Sequence, residues 1–146
     1  EVLRPFLAAL DALRARGAVL SAVAPRIMGA VNAYTALVSR SEAAMIHAQG
    51  MRERPGDYGG ALAARIYAGY AVPASLYAEA LARRGGVLRE FCAQAFGAAD
   101  LLLAPTLRVR VPTRAETDAD ANPENWGRLM ALSVNTRPFN YLGLPV

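Results

Sequence analysis

Two long Ala-rich stretches, 26–50 and 73–96, are the strongest constraint on this chain. The spacing predicts a helix over each. Pro25 stands before the first and Gly50 is a plausible stop for it. Pro73 suits a first-turn position in the second, and Gly97 lies just past its end. Helices this long need apolar cover. An apolar fraction of 54% over 146 residues is enough for a sizeable core, and charged residues make up only 19%. A disordered segment has the reverse balance.

Shorter elements are arranged around these two. Residues 5–16 read as an amphipathic Ala/Leu helix that stops at Gly17. Ala18–Val23 reads as a short buried strand ended by Pro25. The Arg54-Pro55-Gly56-Asp57 cluster is a turn, and a shorter helix spans roughly 60–70. Asp100–Thr106 is a compact apolar run closed by Pro105, expected as a strand of a sheet covered on both faces. Residues 108–122 read as irregular. Asn122 and Pro123 then open a helix to about Val134, as N-cap and first-turn residue. The tail 135–146 reads as a loop leading towards a further strand. The expected fold class is therefore α/β: a helix-rich chain with one or two buried strands.

Much chemistry is excluded by composition. The formal charge is +4 and all 16 basic residues are arginine. They are scattered from Arg4 to Arg137, with no basic stripe interleaved with aromatics, which argues against a basic nucleic-acid-binding module. There is no apolar run long enough for a membrane span. The N-terminus, Glu1-Val2-Leu3-Arg4-Pro5, does not read as a signal peptide. With one cysteine, Cys92, neither an intrachain disulfide nor a Cys-rich metal site is possible. The one histidine, His47, excludes a two-His zinc helix. It has no Gly-x-Ser-x-Gly elbow to serve, so it reads as a packed or surface imidazole. The acidic cluster Glu116, Asp118 and Asp120 reads as a solvated loop.

Three segments, in order, resemble the amidase-signature family. The first is Arg65-Ile66-Tyr67-Ala68-Gly69 followed by Tyr77, Ala80 and Arg84. The second is Asp100-Leu101-Leu102-Leu103-Ala104-Pro105-Thr106. The third is Thr136-Arg137-Pro138-Phe139-Asn140-Tyr141-Leu142-Gly143-Leu144-Pro145. Each is weak alone; the ordered set is specific. The likeness runs from about Val19 to the end and covers well under half of a complete family member. It implies that residues 1–146 are a C-terminal portion of an amidase domain, incomplete at both ends. The implied fold is several long helices packed on a few strands of an incomplete mixed sheet.

The implied activity of the parent is hydrolysis of a carboxamide, or transfer from one, through a serine acyl-enzyme. Members of the family use a Ser nucleophile, a second Ser and a Lys, with a Gly/Ser-rich loop to hold the oxyanion. This chain has no Lys and no Ser pair, so no catalytic residue falls within it and alone it is expected to be inactive. The resemblance implies no metal and no cofactor. The implied partners are the remainder of the amidase polypeptide and a small-molecule amide, with a homo-oligomer possible, no nucleic acid, no membrane, and a cytoplasmic location. A non-catalytic helical interaction domain derived from an amidase is the first alternative, and a small basic nucleic-acid-binding module is the second.

The resemblance also nominates residues. Arg65 matches an Arg that holds the amino-acid substrate in the glutamine-using branch. Ser133 stands where that branch has an acid, which argues against a substrate with a free ammonium group. Asn135, Thr136 and Arg137 complete the pocket candidates, with Arg137 expected to face solvent. Asp100, Pro105, Thr106, Asn140, Gly143 and Pro145 are the structural positions of the family's segments. Arg84 is a further structural candidate, nominated by periodicity. Tyr77, Leu81, Arg84, Leu88, Phe91 and Ala95 share one helix face, so Arg84 is expected to be buried. A helical climb of about 18 Å and a strand return of about 17 Å would set it beside Pro105 and Thr106, bonding loop carbonyls or a carboxylate.

Overall fold

The computed structural model describes residues 2–145. Among them are seven α-helices, one 3₁₀ turn and no strand. The helices are α1 (Leu3–Ala15), α2 (Met28–Glu53), α3 (Gly60–Tyr70), α4 (Ala74–Ala95), α5 (Arg114–Thr117), α6 (Asn125–Ala131) and α7 (Arg137–Leu142). The α/β expectation and its incomplete mixed sheet are therefore overturned for this chain.

The two expected strands account for this correction. Ala18–Val23 and Asp100–Thr106 are irregular, and much of their apolar surface faces outward. Val19 is 98% exposed and Leu101 is 79% exposed. Residues 19–24 and 100–106 make no backbone–backbone hydrogen bond to any described residue. An apolar run becomes a strand only when another strand takes up its N–H and C=O groups. Neither run meets such a partner here.

The long helices form where expected. Helix α2 packs against three helices along its length. Its first half packs Val31 into a cluster with Val87, Phe91 and Ala95 of α4 and Tyr141 and Leu142 of α7. Its second half meets α3, where Gly69 permits close approach: a Cβ there would strike the Arg40 carbonyl and lie 2.7 Å from the Ala44 methyl. Gly50 does not stop α2, which continues to Glu53. It instead leaves room for the Tyr58 hydroxyl, which a Cβ would overlap.

Rings interlock within the core. Phe91 meets Phe139 edge-on with centroids 5.9 Å apart, and Tyr34 stacks on Tyr141 at 5.9 Å. The Tyr141 hydroxyl donates to the Ala80 carbonyl at 2.6 Å, which satisfies its one polar atom. Burial raises the Tyr141 phenol above its ordinary value of 10.0; the nearby Tyr34 adds to this and Arg84 opposes it. Gln94 ties α4 to the entry of α2 by accepting from the Ile27 N–H at 3.2 Å.

Two further expectations are corrected. The tail is not a loop throughout: Arg137–Leu142 is a helix, with Pro138 in its first turn and Gly143 at φ +73° ending it. Arg84 is exposed, not buried. The inward line on α4 is Ala80, Val87, Phe91 and Ala95. Arg84 lies over Gly143, where a Cβ would meet its guanidinium, rather than beside Pro105 and Thr106.

Candidate functional site

The short helices α5 and α6 are held by polar side chains. Thr113 and Glu116 form a reciprocal capping box at the start of α5. Glu116 also pairs with Arg110. The Arg110 guanidinium first, then the Thr113 N–H and hydroxyl, hold the Glu116 carboxyl at about 2 against an ordinary 4.5. Asn125 is buried at the start of α6, where its amide donates to the carbonyls of Ala115 and Asp118 at 3.0 and 3.1 Å. Asn122 accepts from the Glu124 N–H at 3.0 Å, and α6 itself begins at Asn125 and ends at Ala131.

This arrangement leaves the start of α6 facing α3 across open space. Between α2, α3 and residues 119–126 lies a cleft of about 660 Å³. Arg40 and Arg65 reach it from α2 and α3, and Trp126 from α6, with Ala61, Ala64, Ala68 and Pro123 as apolar walls. Asp120 bridges its rim: its carboxylate accepts from the Ala61 N–H, in the first turn of α3, at 2.6 Å. That places a negative charge where the helix dipole favours one. The guanidinium groups of Arg40 and Arg65 make no hydrogen bond or ion pair with any described residue.

The other pocket candidates gather elsewhere. Asn135 donates to the Pro105 carbonyl at 2.6 Å, pinning the irregular segment 100–106 to the turn before α7. Asn135 and Thr136 border a second cleft of about 430 Å³, which also includes Asp100, Pro105, Thr106 and Pro145. Arg137 does not face solvent freely. Its guanidinium donates to the Ser133 and Met130 carbonyls, both at 3.2 Å, fastening the end of α6 to the start of α7. The Ser133 carbonyl also accepts from the Thr136 hydroxyl at 3.3 Å, so the stretch is organised by its backbone. Asn140 is exposed.

Arg65 thus lies in a different cleft from Asn135 and Thr136, and Ser133 and Arg137 line neither of the two. Sequence reasoning found Arg65 and missed Arg40 and Trp126. The local pattern around Trp126 carried no signal, because α6 begins at Asn125 and not at the Asn122-Pro123 pair. Arg40 carried none either.

No catalytic constellation is assembled among the described residues. The acids 116, 118 and 120 each serve a separate backbone or guanidinium donor, and no metal-capable group of His, Cys, Asp and Glu is present there. His47 packs edge-on against Tyr58, with Nδ1 3.4 Å from its hydroxyl. Among the described residues no helix is long and apolar enough to cross a membrane. Comparison with known families, with characterised proteins and with solved structures finds no match to this chain.

Proposed function

We propose that this chain is part of an amidase that acts on a carboxamide through a serine acyl-enzyme, with the nucleophile and proton acceptor on polypeptide outside residues 1–146. The reading rests on the three ordered segments and is supported by one physical observation, the amount of surface left open. The chain exposes 9934 Å² at a mass of 15.5 kDa. A compact monomer of that mass exposes about 7,200 Å². The excess is comparable to one side of a large obligate interface. Outward apolar side chains such as Val19, Met45, Ile46, Leu101 and Val111 contribute to it. Further polypeptide packed on these faces would cover them. In this reading the chain supplies helical scaffold and part of the substrate pocket, with Arg65 as its pocket residue.

The test is the complete reading frame. It is expected to encode a Lys and a Gly-Gly-Ser-Ser run upstream, and its product to release ammonia from simple aryl or alkyl amides. The 146-residue chain alone should release none. A complete product without those residues, or without amide turnover, refutes the reading. The all-helical architecture of the described residues favours a second reading, a non-catalytic interaction domain. That reading expects no turnover and a binding partner that buries the same apolar faces.

A further inference from the structure

We propose that the cleft between α2, α3 and the start of α6 binds a flat, apolar carboxylate of the benzoate type. The observation behind this is a pair of guanidinium groups against a single carboxylate, beside an aromatic ring. Arg14, Arg54, Arg83 and Arg110 pair with Asp11, Asp57, Glu79 and Glu116, and Arg137 is occupied by two carbonyls. Arg40 and Arg65 enter one cleft and have no partner among the described residues. The acid that shares the cleft, Asp120, accepts from the first turn of α3. A guanidinium offers a planar fork that matches a carboxylate.

The rest of the cleft selects the body that carries the anion. Ala64 and Pro123 give it low, apolar walls, and the half-buried Trp126 gives it an aromatic surface. A planar ring gains contact there that a hydrated inorganic anion cannot. The volume of about 660 Å³ lies within the range of small-molecule sites. This goes beyond the amidase reading and shares only Arg65 with it.

Trp126 is the one tryptophan of the chain. It also borders a smaller cleft of about 240 Å³ that lacks Arg40, so the Arg40 variant ties a fluorescence change to the proposed site. Titration of the 146-residue protein with benzoate should give a saturable change in that fluorescence, weakened by added salt. Benzamide, of the same shape without the charge, and inorganic phosphate, with charge but no ring, should each bind at least about tenfold more weakly. Arg65→Gln and Arg40→Gln should each weaken benzoate by about tenfold, while Arg4→Gln on α1 should not. Arg40 is exposed, so its variant tests the site without loading the fold. No saturable change with benzoate overturns the proposal. So does equal binding of benzamide or phosphate, or wild-type affinity in both glutamine variants. Binding is read without turnover, so the cleft and the amidase reading can fail separately.

Discussion

The seam between α2, α3, α4 and α7 and the two irregular runs, 18–24 and 100–106, are equally apolar and have opposite fates. At the seam Ile66, Phe91 and Leu142 are each 1% exposed; in the runs Val19 and Leu101 stand almost free. The difference lies in the backbone. A helix satisfies its own N–H and C=O groups and asks its neighbours only for side-chain cover. An extended run asks for cover and for a neighbouring strand's hydrogen bonds together. Here 19–24 and 100–106 have no backbone–backbone hydrogen bond to any described residue, and in the second run Leu102 is the one leucine packed against the core. Apolar composition by itself therefore says little about which segments form the core.

The largest break in this contrast should come from Phe91→Ala. It removes the ring that both Phe96 and Phe139 face, and should cost about 3–5 kcal/mol. For a core this thin that is enough to abolish a cooperative thermal transition followed by circular dichroism. Gly69→Ala should come next, at about 1–3 kcal/mol. The added methyl meets the Arg40 backbone, which cannot rotate away as a side chain could. A urea midpoint equal to that of the parent would show that α2 and α3 do not approach this closely. Leu101→Ser sharpens the contrast from the other side. The side chain is already exposed, so stability should change by less than about 0.5 kcal/mol. Self-association measured by sedimentation should fall.

The smallest expected effect is electrostatic. The Glu116 carboxyl has its folded value lowered to about 2 from 4.5. Its contribution is thus present above the ordinary carboxylate range and is lost as pH falls from there towards 2. NMR titration should show the Thr113–Thr117 turn loosening across that window while the α4–α7 core stays unchanged. A Glu116 carboxyl titrating near its ordinary value would remove Arg110 as its partner.

The same contrast separates what could be read in the sequence from what could not. Gly17, Pro73 and Gly97 punctuate helices by local stereochemistry, and those helices stand where they point. Leu101–Leu103 looked like a strand because periodicity cannot report whether a pairing partner exists. The tail was misread for a different reason. It reads as a loop, although proline in a first turn and glycine at a helix end are the marks of a short helix. Arg84 was placed on an inward stripe by its spacing. The inward line follows Ala80 and Val87 instead, and Gly143 gives the guanidinium an outer surface to lie on. Arg65 was reached by resemblance, whereas Arg40 became its neighbour only through the crossing of α2 and α3 at Gly69.

The bonds from Arg137 to the Ser133 and Met130 carbonyls have a mechanical consequence. They close the turn between α6, which carries Trp126, and α7, which carries Tyr141 beneath α4. Two such bonds contribute about 1 kcal/mol each. Their loss should let the turn at 132–136 open more often, which amide exchange there would read.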